Sequence, residues 1–126
     1  MPASYKIDKR RRLVVSTASG VFSLADAVSN RENLAKDPDF DPDFSQIADF
    51  TQITRVELTA REIHELAQVG IFSPHSRRGF IMRSAHIYGL GRMYEILREM
   101  EGEKRIRAVH TLDEALAWVA HGSSEG

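Results

Sequence analysis

Residues 44–70, FSQIADFTQITRVELTAREIHELAQVG, decide the fold. The segment reads as a buried strand over about 45–51, an irregular connector at Gln52–Leu58 and an amphipathic helix. Thr59-Ala60-Arg61-Glu62 is a full capping box, in which a hydroxyl and a carboxylate each satisfy one orphan N–H of the first turn. Behind it Ile63, Leu66, Ala67 and Gly70 recur at i, i+3, i+4 and i+7, the spacing of one buried helix face. Arg61, Glu62, His64, Glu65 and Gln68 fall on the opposite side. Asp49 lies within the strand. Ligands and partners of open α/β sheets gather at the carboxyl ends of strands, so this strand-to-helix turn is the first place to look for function.

Upstream, the loop DPDFDPDF places aspartates at 37, 39, 41 and 43. A calcium loop of that phase needs glycine where Pro42 stands and glutamate where Ala48 stands, so no metal site is expected. Phe40 and Phe44 are expected to pin the loop onto the core. Before it, Ser23 and Asp26 cap a helix over about 23–36, stopped at Asp37-Pro38 because the residue before proline is pushed out of the helical region. Tyr5 and Ile7, then Leu13, Val15 and Thr17, alternate about Asp8-Lys9-Arg10-Arg11. This predicts a β-hairpin with strands near 4–8 and 12–19 and Gly20 ending the second. The basic cluster is read as a solvated hairpin tip.

Downstream, Ile71–Arg78 is a loop and Gly79–Ala85 a strand. Residues 86–101 form a helix with Leu90, Met93, Leu97 and Met100 inward. Gly89 and Gly91 each weaken that helix by about 1 kcal/mol relative to alanine, which implies a close backbone approach. A short strand follows at Arg105–His110. Thr111 and Glu114 form a second capping box for a last helix, with Leu112, Ala115, Leu116 and Val119 inward and Trp118 at the edge of the stripe. One domain over residues 1–122 is expected, with 123–126 as a short flexible tail.

The predicted order is ββαβαβαβα, an α/β fold with parallel strands joined by right-handed crossovers. Polar residues alternate with apolar ones in the second strand (Arg12, Ser16 against Leu13, Val15) and the last (Arg105, Arg107 against Ile106, Ala108). Fully buried parallel strands read as continuous apolar runs, so one sheet face should be less completely covered. A chain of 126 residues buries its own core, and its net charge of −1 implies no general affinity for nucleic acid. It contains no cysteine, no signal-like N-terminus and no apolar run near the roughly 18 residues of a spanning segment. A cytoplasmic domain without membrane insertion is expected.

The residues Tyr5-Lys6-Ile7-Asp8, Arg12-Leu13-Val14 and Gly20, then Asp37-Pro38-Asp39-Phe40 and Ile47-Ala48-Asp49-Phe50-Thr51, follow an order with Tyr88-Gly89-Leu90-Gly91-Arg92-Met93 and Glu114-Ala115-Leu116-Ala117-Trp118. In that order the chain resembles the SpoIIAA-like family, relatives of the STAS domain of anti-sigma-factor antagonists and sulphate transporters. The resemblance covers nearly the whole chain and implies a mixed sheet. In the antagonists a serine at the start of the second helix, within Asp-Ser-Ser-Gly-Leu, is phosphorylated to break a partner complex. Thr59 takes that place here, after Glu57 and Leu58, while Ala60 and Arg61 replace the glycine and leucine. Some relatives are grouped with lipid-binding Sec14-like domains.

Two functions follow. The first is a non-enzymatic, regulatory protein-interaction module using Thr54, Arg55, Glu57, Thr59 and Arg61, with a protein partner or a second copy. The second is a binding module for a small apolar or lipid-like ligand, with a pocket from Met82, Gly89, Gly91, Met93, Tyr94 and Met100. The five histidines form no metal-ligand pair at helical spacing, no nucleophile elbow is present, and no motif asks for a cofactor. No enzyme is expected.

Overall fold

The computed structural model describes residues 3–124, with side chains through Ala120. The chain runs β1 (Ala3–Asp8), β2 (Leu13–Ser23), α1 (Leu24–Lys36), β3 (Ser45–Glu57), α2 (Ala60–Ala67), β4 (Arg78–Ile81), α3 (Ala85–Met100), β5 (Ile106–Val109) and α4 (Leu112–Ser124). The five strands form one mixed sheet in chain order, β1 antiparallel to β2 and every later pair parallel. The predicted element order is the observed one.

Chain order in the sheet has a consequence for its faces. Right-handed crossovers that always step in the same direction must all lie on the same side. Accordingly α1, α2 and α3 share one face, and α4, which makes no crossover, folds back over the other. Neighbouring strand residues point to opposite faces. Val14 packs with Leu34, Phe44 and Phe72, and Ala48 with Phe80, Met82 and Ile106, on the three-helix side. Leu13, Ile47, Ile81 and Val109 meet Ala115 of α4 on the other. Helix α4 packs on β3, β4 and β5. The second face is therefore open over β1 and β2, where Ser4, Lys6, Asp8 and Thr17 are exposed. One face is thus less completely covered, as expected, but in β2 it is the face of Leu13, Val15 and Thr17, while the polar Ser16 is buried on the three-helix side.

Several boundaries differ from the sequence reading. The connector Gln52–Leu58 is mostly strand: β3 continues to Glu57 by pairing with Ser19–Ser23 of β2. Gly20 does not end β2 but sits in a bulged stretch, with φ 66. Strand β4 stops at Ile81, because Ser84 turns to cap α3 by accepting the Ile87 N–H at 3.0 Å. Gly70 lies beyond α2, whose buried residues are Ile63, Leu66 and Ala67. Helix α4 continues past Gly122 to Ser124, into the stretch expected as a tail, and Glu125 and Gly126 lie outside the described residues. The inward stripe of α4 is Ala115 with Trp118 and Val119, whereas Leu112 and Leu116 are exposed.

The largest correction concerns α3. Its buried residues are Gly91, Glu95 and Arg98, not Leu90, Met93, Leu97 and Met100, and Met100 is 77% exposed. The helix is rotated because its charges are paired inside the protein, an outcome that hydrophobic periodicity cannot register. The aspartate loop is built as expected from Phe40 and Phe44. Phe44 is buried and the Phe40 ring meets Phe72 edge-on at 5.2 Å. Asp37 and Asp41 accept the N–H groups of Asp39 and Asp43, closing two turns.

Candidate functional site

The long β2–β3 ribbon extends beyond β4, whose pairing with β3 ends at Asp49 and Ile81. Between this ribbon, β4 and the three helices lies a cavity of about 170 Å³. Its wall is a row of aromatic rings running across the sheet. Phe22 meets Phe50 at 5.6 Å between centroids, Phe50 meets Phe80 at 5.9 Å, and Phe80 meets Tyr94 of α3 at 5.7 Å. Ile53, Val56 and Leu58 line it from the ribbon, Leu34 from α1, and Ile63 and Leu66 from α2. The lining reaches the surface at Val69 and Gly70, both exposed.

One region of this apolar wall is polar. Gln46 donates through Nε2 to Ser16 Oγ at 2.9 Å and accepts at Oε1 from Arg78 Nε at 2.9 Å. Arg78 Nη1 donates to both carboxylate oxygens of Glu103, at 3.0 and 3.1 Å, and Arg98 Nε donates to Glu103 Oε1 at 2.9 Å. Arg98 Nη1 also donates to the Ala67 carbonyl at 2.8 Å, tying α3 to the end of α2. The Arg78 guanidinium lies over Phe72 and Phe80, 4.5 and 5.2 Å from the ring centroids. Burial works against its charge, but Tyr94 and Glu103 beside it more than offset that, and Arg78 holds its proton more tightly than an arginine in water.

Glu103 owes its place to the end of α3. The Glu103 N–H bonds the Arg98 carbonyl at 3.0 Å and the Gly102 N–H bonds that of Glu99 at 3.0 Å, the paired bonds of a Schellman motif. Gly102 stands at φ 99, where a side chain would be strained, and this reversal carries Glu103 back beneath the helix.

Of the residues expected in a pocket, Met82, Gly91 and Tyr94 line this cavity. Gly91 is the close approach that the sequence implied: a Cβ there would overlap the Met82 sulfur. Gly89 has open space around it, and Met100 points to solvent, so neither belongs; Met93 is half-buried away from the lining. Thr54, Arg55, Glu57, Thr59 and Arg61 are each exposed along the same ribbon and turn. Arg55 pairs there with Glu57 at 3.6 Å. The capping box is complete: Thr59 Oγ1 accepts the Glu62 N–H at 3.1 Å, and Glu62 accepts the Thr59 N–H at 2.9 Å. Sequence reasoning missed Ser16, Gln46, Arg78, Arg98 and Glu103. Phenylalanines at 22, 50 and 80 were the available signal, but nothing local joins them.

Among the described residues no three metal-ligating side chains lie together, and no helix is long and apolar enough to cross a membrane. No family model and no curated protein sequence matches the chain. A solved structure does: an uncharacterized protein from the DUF3478 family with a SpoIIAA-like fold, from Shewanella loihica PV-4. It superposes with a TM-score of 0.62 over 93% of each chain, at 15% identity. The fold is SpoIIAA-like. Within this SpoIIAA-like domain Thr59 occupies the start of the second helix, as the resemblance implied, and its hydroxyl is engaged as a cap. At that identity the likeness shows the fold alone.

Proposed function

We propose that this SpoIIAA-like domain is a binding module for a small ligand with an apolar body, held between the sheet and helices α1–α3. The observation that carries the reading is the unbroken aromatic wall Phe22–Phe50–Phe80–Tyr94 along a cavity of about 170 Å³. Cores normally close such space, because each unfilled volume forfeits packing contacts. Pockets for small molecules have this composition, mostly apolar with few converging polar groups. The lining holds no histidine, lysine or carboxylate, hence no pair of groups for proton transfer, and we read binding rather than turnover. Native mass spectrometry of protein purified from cells tests this. A co-purifying mass of a few hundred daltons or less, lost when Ala48→Phe fills the cavity, is the expected result. Wild-type protein that is ligand-free and takes up no apolar probe would overturn it.

A role as a regulatory protein-interaction module draws on a separate observation, the open sheet face over β1 and β2 with exposed Lys6, Asp8 and Thr17. A partner protein or a second copy would cover that face. Light scattering on a size-exclusion column checks the homodimer form, which Thr17→Arg should disperse. A monomer at about 50 μM, where a dimer of micromolar Kd would be populated, would leave only a foreign partner.

A further inference from the structure

The charges behind the cavity do not balance. Arg78, Arg98 and Glu103 are all buried, and the two guanidinium groups share the single carboxylate. The other buried acid nearby, Glu95, is engaged elsewhere, with Arg92 and the Ala108 N–H. The cluster thus retains one positive charge in excess, and a buried charge without a counter-ion is strongly unfavourable. Among the lining residues the charged ones are Arg78 and Arg31. Arg31 is only half-buried, so water can solvate its charge, and its Nη1 donates to the Leu66 and Val69 carbonyls at 3.1 and 3.3 Å. Arg78 uses Nε and Nη1 on Gln46 and Glu103 and is also hydrogen-bonded to Tyr94, so a ligand head in the cavity would meet the Arg78–Tyr94 pair.

We propose that the ligand is a small monocarboxylate with an apolar tail, its head accepting from Arg78 and Tyr94 and its tail along the phenylalanine row. The inference rests on the cavity reading above and adds the charge and size of the occupant. One negative charge restores neutrality to the buried cluster. A cavity of about 150 Å³ holds a benzene ring, so 170 Å³ suits a tail of about six to eight carbons.

The experiment titrates octanoate, 1-octanol and octylammonium into the wild-type protein, following the methyl resonance of Met82 in the cavity and that of exposed Met100 as a control. Octanoate is expected to shift Met82 and not Met100, and to bind at least about tenfold more tightly than octanol, the gain of a charge-assisted hydrogen bond. Octylammonium should not bind. Tyr94→Phe, which conserves the ring, should narrow the preference for octanoate over octanol several-fold while leaving octanol unchanged. Equal binding of octanol or octylammonium would overturn the charge assignment and leave the cavity reading intact. Met82 unmoved by all three probes would overturn both. Because the comparison is made across probes on one protein, it does not depend on a variant at Arg78 folding.

Discussion

Glu95 of α3 closes the outer edge of the sheet: its Oε1 accepts the Ala108 N–H of β5 at 2.8 Å. One residue pair further, Glu114 of α4 accepts the His110 N–H at 3.3 Å. These are donors that β5 does not offer to β4, and carboxylates occupy both. A free sheet edge invites pairing with another chain, and charged side chains placed on it discourage that. Truncating Glu95 to alanine leaves the buried Ala108 N–H without a partner, at a cost of about 1–3 kcal/mol. Glu95→Gln, which keeps an accepting oxygen, should cost less. Urea unfolding of the two variants checks the order.

Thr59 is expected to behave as a helix cap. Thr59→Ala should lower stability by about 1 kcal/mol, while Thr59→Ser and Thr59→Asp should cost little, since all three polar residues cap well. Chemical denaturation measures this. Should Thr59→Asp leave stability intact yet abolish a partner complex that Thr59→Ser preserves, the hydroxyl is a switch after all.

At Gly91 the expectation concerns binding more than stability. A Cβ would overlap the Met82 sulfur, and Met82 can yield because it is the end of a flexible side chain beside open volume. Gly91→Ala should therefore push Met82 into the cavity. The gain in helix propensity, about 1 kcal/mol, offsets part of the repacking. A melting temperature within a few degrees of wild type, together with loss of octanoate binding by calorimetry, is the expected pair of results.

The clasp between β1 and the end of α1 should respond to pH at both extremes. Tyr5 donates its hydroxyl to Asp37 Oδ2 at 2.8 Å. The Asp39 N–H and this hydroxyl hold the Asp37 carboxyl below its usual range, and partial burial followed by Asp37 pushes the Tyr5 phenol up. A lowered carboxyl stabilises the fold above the ordinary carboxylate pKa near 4, and that contribution is lost as pH falls through the folded value. A raised phenol stabilises below about pH 10 and is lost as pH rises through its folded value. In denaturant midpoints measured against pH, Tyr5→Phe should remove the alkaline slope and spare most of the acid one, because Asp39 supplies the larger share.

The sequence alone determined what is local or periodic. Ser23 with Asp26 and Thr59 with Glu62 close the capping boxes that were read from four consecutive residues. At Thr111 the reading was nearly right: Glu114 donates its N–H to the hydroxyl, but its carboxylate accepts the Thr111 hydroxyl and the His110 N–H rather than the Thr111 N–H. The hairpin alternation and the strict succession of helices and strands fixed the topology, since crossover handedness leaves few ways to wind such a chain.

Tertiary structure decided whatever needed a partner distant in the chain. Residues 52–57 read as a connector because Gln52, Thr54, Arg55 and Glu57 are polar, yet only one side of that strand is buried and its hydrogen bonds come from the end of β2. The inner face of α3 was misplaced because Glu95 and Arg98 count as outward charges until Ala108 and Glu103 are there to receive them. The site joins residues 16, 46, 78, 94 and 103, brought together only when the strands align. Hydrophobic periodicity measures one element against water, and a buried ion cluster beside a cavity is a balance among several elements, which no single stretch of sequence contains.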